Sequence, residues 1–192
     1  MSLYSRSNIA TFIYWSFSIP SNNTFDFNAN CNFKIQQWIQ NNIQFKASVS
    51  SIIAALITGK CIVVSDGSFY PNNPSLIAAT WVLLYDETIL CIGKFISTVH
   101  AKLQNAYAAE LSGILSSLLS IEFFTISVHT QISINLALDC SAAIDLINDP
   151  ISHTSLDDNA FDFTYEIRQL AKGSYFQLST TKIKLHLDEV TQ

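Results

Sequence analysis

Charged side chains are scarce in this sequence. Only 13% of the 192 residues are Asp, Glu, Lys or Arg, whereas 49% are hydrophobic, and 10 basic residues stand against 15 acidic ones. A chain of this composition buries enough apolar surface to offset its ordering entropy, which excludes an intrinsically disordered protein. It also excludes a histone-like protein that holds nucleic acid through many Lys and Arg contacts with phosphates.

Paired cysteines and long apolar runs are missing as well. The four cysteines stand singly, without a C-x-x-C pair, and three of them lie in apolar segments, as buried free thiols do. They favour a reducing intracellular compartment, cytoplasmic or nuclear, and argue against a zinc site. The longest apolar runs, at 52–57 and 61–64, are far shorter than the roughly 20 residues of a membrane-spanning helix, so we expect no membrane segment.

The chain divides into two parts by composition. Residues 1–45 are aromatic, almost free of charge and rich in asparagine, with seven asparagines after position 21. We interpret them as an N-terminal extension of loops and one short helix near Trp38, which either covers the main core or once belonged to a neighbouring domain. Residues 46–192 carry the hydrophobic patterns of a single α/β domain.

Hydrophobic periodicity predicts a short helix followed by the order β-β-β-α-β-α-α-β. The predicted elements are a helix at 49–57 stopped by Gly59, strands at 61–64, 78–85 and 88–96, a helix at 104–120, a strand at 132–138, a short helix capped by Ser141, a helix from a capping box at 155–158 to Lys172, and a last strand at 183–187. Asp86 and Glu87 are the turn of a hairpin, so we expect the first three strands to be antiparallel. The unbroken apolar run at 61–64 places the first strand in the middle of the sheet.

Four acidic residues lie at the ends of predicted strands or within a predicted helix. Asp66 ends the first strand and Asp139 the fourth, where open α/β sheets bind ligands if the two strands are parallel neighbours. Glu110 lies beside the apolar stripe of the long helix, and Asp188 follows the last strand. Clustered carboxylates repel one another unless a cation is present, and their oxygens are the ligands that Mg²⁺ prefers. These four acids therefore predict a two-metal site suited to hydrolysis of a phosphodiester.

The acids and their neighbours resemble the motifs of the ribonuclease H family, endonucleases that cut the RNA strand of an RNA/DNA hybrid. The matching motifs are Ser65-Asp66-Gly67-Ser68, Ala109-Glu110-Leu111, Leu138-Asp139-Cys140 and His186-Leu187-Asp188-Glu189. The acids stand 44, 29 and 49 residues apart, which is compatible with the elements of that fold. The motifs around Glu110 and Asp188 are closest to those of ribonuclease H domains attached to retroelement reverse transcriptases, in which a histidine precedes the last acid by two residues.

The resemblance implies an α/β fold whose mixed five-stranded sheet has three antiparallel strands and then parallel additions, flanked by helices. It implies that the four acids are catalytic and hold two Mg²⁺ ions, which Mn²⁺ can replace, and that cleavage leaves a 3′-hydroxyl. His186 would help protons move or product leave, while Gly67 and Ser68 would bring the backbone close to the RNA. The implied partners are the hybrid and a reverse transcriptase or another polyprotein domain.

The sequence departs from the family at three points. We expect the usual C-terminal helix to be missing, because only four residues follow Asp188. From Asp139 to Glu166 there are seven acids and no Lys or Arg, so the basic helix and loop that grip the hybrid in some members are missing. Ala108 replaces a residue that is often basic. The net charge of −5 arises entirely after residue 138, where nine acids face four bases, so we expect hybrid binding to be weak and metal-dependent.

Two other functions stay open at this point. A nuclease or transposase of the same fold that acts on DNA would share the carboxylates. A non-catalytic retroelement remnant would keep the fold and bind a partner protein through the N-terminal extension. Glu189 is the alternative to Asp188 as the fourth ligand, and strand alternation favours Asp188 because it shares a face with His186.

Overall fold

The computed structural model describes residues 41–69, 76–98, 105–125, 131–149, 161–172 and 176–184. In chain order the elements of these ranges are β1 (Ile43–Phe45), α1 (Val49–Ile57), β2 (Cys61–Phe69), β3 (Leu76–Tyr85), β4 (Thr88–Thr98), α2 (Ala106–Thr125), β5 (Ile132–Leu138), α3 (Ser141–Asn148), α4 (Phe161–Lys172) and β6 (Phe176–Lys182). The predicted helix near Trp38 and the capping box at 155–158 lie outside the described residues.

These strands form one mixed sheet in the order β1-β4-β3-β2-β5-β6. The pairs β1–β4, β4–β3 and β3–β2 are antiparallel, whereas β2 pairs parallel with β5 and β5 parallel with β6. The predicted α/β fold, with three antiparallel strands followed by parallel additions, is confirmed. The described sheet has six strands rather than five, because residues 43–45 pair with β4. A strand of three residues is too short to show a hydrophobic period.

The last strand lies earlier in the chain than its alternation pattern predicted. β6 is Phe176–Lys182, whereas residues 183 and 184 of the predicted strand lie outside any strand and residues 185–187 lie outside the described residues. Only Phe176 and Leu178 are apolar in β6, because it lies at the end of the sheet order and most of its side chains are exposed. Its position is set by pairing with β5 over all seven residues, a long-range contact that no local pattern reveals.

The ends of the helices agree with the sequence in two cases and differ in two, and α4 ends at Lys172 as predicted. Ser48 caps α1 by accepting a hydrogen bond from the Ser51 N–H, and Gly59, with φ of 69°, terminates it as predicted. α2 continues to Thr125, beyond its predicted end near residue 120. The prediction that Ser141 caps α3 is wrong, because the N-cap is Cys140 and no side chain bonds to the first turn there.

Helix α2 is the centre of the core. It packs on β2 and β3, with the other three helices against it, and 16 of its 20 residues are buried. Four buried serines donate their hydroxyls to carbonyls of the preceding turn, which satisfies these polar groups within the helix. By length and composition α2 also passes for a membrane span, yet 89% of that window is buried inside the protein, as in a core helix.

Candidate metal centre

Parallel pairing of β2 with β5 brings two of the acids to the same level of the sheet. The last paired residues are Val64 and Ala137, and the same register continued by two residues reaches Asp66 and Asp139. Asp66 remains within β2, whereas β5 ends one residue before Asp139. The carboxyl ends of the two parallel strands therefore meet at these acids, where α/β sheets bind ligands.

Two glycines allow α2 to lie directly on β2. A Cβ at Gly67 would overlap the α2 backbone at Glu110, and a Cβ at Gly113 would overlap the hydroxyl of Ser65. Because no side chain separates the two elements, the backbone of Glu110 lies against the β2 backbone at Gly67, next to Asp66. Gly67 thus has a packing role that the sequence did not indicate. Sequence reasoning missed Gly113, although a glycine inside a helical pattern signals a close approach.

The carboxylates of Asp66, Glu110 and Asp139 converge at this point. Each contributes one oxygen, and these oxygens lie within 4.8 Å of one another. The Glu110 side chain is 8% exposed, whereas neither Asp66 nor Asp139 is buried, so the cluster is closed towards α2 and open on the side of the two aspartates. Two such charges repel by about 1 kcal/mol in water-like surroundings, and by more where solvent is excluded.

The donor set fits a hard divalent cation. All three donors are carboxylate oxygens, which suit Mg²⁺ and Mn²⁺, whereas zinc and copper favour nitrogen and sulfur. Opposite ligands of one Mg²⁺ lie about 4.2 Å apart, so small side-chain rotations bring the observed oxygens to coordination distance. This is the one group of three or more candidate ligands among the described residues.

Of the other predicted site residues, only Gly67 and Ser68 lie within the described part of the chain. Ser68 is exposed on β2, on the same side of the strand as Asp66 because the two are separated by one residue. His186, Asp188 and the alternative ligand Glu189 lie outside the described residues. Their roles in the site stay predictions from the sequence.

The end of β6 nevertheless lies beside the cluster. Leu138 pairs with Lys182, and the Ile183 N–H donates to the Leu138 carbonyl at 2.9 Å, so the chain leaves β6 at the level of Asp139. The Lys182 ammonium donates to the Ser141 hydroxyl at 2.6 Å, which places one positive charge at the first turn of α3. Asp188 comes four residues after the last described residue, and four residues span at most about 14 Å.

Comparison with solved structures finds ribonucleases H at low identity. Ribonuclease H1 from Halobacterium salinarum NRC-1 is 17% identical, with 64% of this chain and 85% of that chain covered and a TM-score of 0.47. LC11-RNase H1 in complex with an RNA/DNA hybrid is 10% identical, with 64% and 86% covered and a TM-score of 0.47. Both are ribonucleases H, the family that the sequence resembles.

A larger protein is also similar in structure. The foamy viral protease-reverse transcriptase in complex with an RNA/DNA hybrid is 11% identical, with a TM-score of 0.47. The similarity covers 88% of this chain and 20% of that chain, so the present chain spans about a fifth of it. No protein-family model matches the sequence, and no curated protein sequence does either.

Proposed function

We propose that this protein is an endonuclease that hydrolyses the RNA strand of RNA/DNA hybrids with two bound Mg²⁺ ions. The observation that carries the proposal is the convergence of Asp66, Glu110 and Asp139 from a strand, a helix and the end of a second strand. The order of these acids and of their elements is that of the family the sequence resembles. Divalent ions bound there would supply a water of lowered pKa and offset charge on the leaving oxygen.

Each carboxylate has a distinct position from which to hold the ions. Asp66 and Asp139 meet across the end of the β2–β5 ladder, so they are the residues that would contact both ions. Glu110 reaches the cluster from the buried side, where contact with Gly67 fixes the position of the Glu110 backbone. Asp188 would complete the set from the end of β6. The open side of the cluster, next to Asp66 and Asp139, is where the scissile phosphate would enter.

Charge makes this site dependent on its ions for substrate binding as well as for chemistry. Three carboxylates lie together, and the described residues bring one lysine, Lys182, to the first turn of α3 beside them. A polyanionic hybrid is repelled by such a cluster until cations neutralise it. The backbone at Gly67 and the exposed Ser68 would contact the RNA strand, in which the 2′-hydroxyl distinguishes RNA from DNA.

Cleavage by the purified full chain tests the proposal directly. Labelled hybrid, duplex DNA and single strands are incubated with Mg²⁺ or Mn²⁺, and the RNA strand of the hybrid should be cut. Asp66→Asn should slow cleavage by more than about 100-fold, because it removes a ligand of the ions. Asp86→Asn is the matched control, since Asp86 lies in the exposed hairpin turn with a left-handed φ of 48° that Asn also accepts.

Each alternative gives a different result. Cleavage of duplex DNA without cleavage of the hybrid identifies a DNA nuclease of the same fold. No cleavage, together with no calorimetric Mg²⁺ binding at millimolar concentration, identifies a non-catalytic module. Equal rates for Asp66→Asn and the unchanged protein would place any observed cleavage outside this site.

A further inference from the structure

The described helices pack on one face of the sheet, and the opposite face carries a largely aliphatic surface. On β2 the side chains of Cys61, Val63 and Ser65 are buried beneath α2, and the intervening side chains point the other way. Cross-strand pairing extends this second surface over β3 and β4. Its aliphatic members, here called the open face, are Ile62, Val64, Val82, Leu84, Ile89, Ile92 and Ile96.

The open face is separate from the core of the protein. None of its seven residues belongs to the buried core or to the side chains packed against it. Ile62, Ile89 and Ile96 are 38%, 42% and 65% exposed, respectively. Burial of such side chains stabilises a protein, so a segment that covers this face gains free energy from each of them. Contiguous apolar surfaces of this kind mark interaction sites.

One row of the open face is polar. Asp66 pairs with Thr80, and Thr80 with Lys94, so these three side chains form one row across the sheet. The row that contains Val82 lies on one side of it, and the row that contains Ile96 lies on the other. Thr80 and Lys94 are exposed. A covering segment must therefore combine apolar side chains with a few uncharged hydrogen-bonding groups.

We propose that residues 1–40 of the same chain pack on the open face. Only three of these 40 residues are charged, Arg6, Asp26 and Lys34, and six are asparagines whose amides suit the Thr80 and Lys94 row. Nine are aromatic: Tyr4, Phe12, Tyr14, Trp15, Phe17, Phe25, Phe27, Phe33 and Trp38. The segment leads into β1, which pairs with β4, so it begins next to the strand that carries Ile89, Ile92 and Ile96.

Tethering favours this segment over a second copy of the protein. A segment joined directly to the sheet has an effective concentration in the millimolar range, whereas another molecule competes at its micromolar solution concentration. Asp66 borders the open face, so the segment would also flank the metal centre. The inference does not depend on nuclease activity, and its test does not use activity.

Crosslinking in the full chain tests the contact through Cys31, a thiol of the segment itself. Cys61 and Cys91 are buried, and burial raises their pKa to about 11 and about 12, so they stay unreactive at neutral pH. Cys140→Ser removes the half-buried thiol. In this background Ile96→Cys is compared with Gln169→Cys, an exposed position on α4 on the helix side of the sheet.

A short bis-maleimide should join Cys31 to the cysteine at position 96 about tenfold faster than to that at position 169. The ten residues from Cys31 to Asn41 extend to about 35 Å, so tether length does not by itself decide between the sites. Equal rates, or a faster link to position 169, would overturn the inference. A crosslink between two chains at position 96 would also overturn it, since a second copy would then cover the face.

A second measurement keeps the test independent of crosslinker geometry. Replacing Trp15, Phe17, Phe25, Phe27 and Phe33 by serine should raise the labelling rate at position 96 by a bulky maleimide, with no change at position 169. Unchanged labelling at both positions would contradict the inference. Circular dichroism of each variant verifies that the sheet is intact.

Discussion

The two ends of the central antiparallel strands both carry acidic residues, but in different ways. At the hairpin end, Asp86 and Glu87 are adjacent in the sequence and exposed in a two-residue turn. At the other end, Asp66, Glu110 and Asp139 come from three elements, and their oxygens lie within 4.8 Å of one another. The same residue types are solvated at one end and forced together at the other, so tertiary pairing rather than composition creates the candidate metal centre.

The cluster of carboxylates also lowers the stability of the folded protein. Bringing like charges together lowers the stability of the metal-free protein, a sign that this end is shaped for binding. Within the described ranges the hairpin end has no such cluster, and the titratable groups buried near it are the thiols of Cys61 and Cys91. The two ends should consequently respond in opposite ways to substitution, to metal and to pH.

The largest effect is expected where α2 contacts β2. Gly67→Ala places a Cβ into the α2 backbone, which cannot rotate away, so α2 must shift and carry Glu110 with it. We expect a loss of about 3 kcal/mol in the free energy of unfolding, at the upper end of overpacking effects, and loss of Mg²⁺ binding. Urea unfolding and calorimetric titration measure the two quantities.

Gly113→Ala is the matched control for this contact. Its Cβ would meet the Ser65 hydroxyl, which can turn aside, so we expect a loss of about 1 kcal/mol and retained Mg²⁺ binding. An equal loss for both variants would mean that the backbone contact at Gly67 does not position Glu110.

Alkaline pH should destabilise the hairpin end. Burial raises the pKa of Cys61 from 9.0 to about 11 and that of Cys91 to about 12, the latter helped by the nearby Cys61. The folded protein therefore holds these protons more tightly than the unfolded chain, and their contribution is constant below pH 9. Above it, each thiol should lower the free energy of unfolding by about 1.4 kcal/mol per pH unit until its folded pKa is reached.

Urea unfolding from pH 8 to pH 10.5 measures this slope. Cys91→Ala is the comparison, because it removes one of the two thiols and should flatten the slope even though its core cavity lowers stability at every pH. A slope unchanged by Cys91→Ala would assign the alkaline transition to other groups, such as lysines or tyrosines.

Without metal, Asp66→Asn should stabilise the protein. Removing one of three clustered charges relieves repulsion worth about 1 kcal/mol at low salt, whereas Asp86→Asn at the hairpin end should change stability by less than about 0.5 kcal/mol. Added Mg²⁺ should reverse the order, because it stabilises the unchanged protein by binding. Destabilisation by Asp66→Asn in metal-free, low-salt buffer would contradict the repulsion.

Much of this fold was predictable because its signals are local. The hairpin turn, the Gly59 helix stop and the apolar run of the central strand each occupy a few consecutive residues. The acids at positions 66, 110 and 139 were predictable because each stands at its own element, although their convergence required knowing that β2 and β5 are parallel neighbours.

The rest depends on contacts between distant residues. β6 has few apolar side chains because only β5 pairs with it in the described sheet, so the sequence gives little local sign of a strand at 176–182. The buried surface of α2 extends well beyond the apolar stripe that predicted the helix, since α2 is surrounded on nearly all sides and even its serines are buried. The packing role of Gly67 is equally invisible in the sequence, where Asp-Gly-Ser is typical of an ordinary turn.

The smallest expected effect lies in the hairpin turn. Asp86 and Glu87 have φ of 48° and 63°, the left-handed conformation at both central positions, which a two-residue hairpin requires and which glycine adopts without strain. Glu87→Gly should therefore raise the free energy of unfolding by about 0.5 kcal/mol, since relief of the left-handed strain exceeds the added entropy of the unfolded chain. Thermal unfolding measures the change, and Mg²⁺ affinity should stay the same because the turn is at the opposite end of the sheet. A lower stability would show that the Glu87 side chain contributes more than its backbone strain removes.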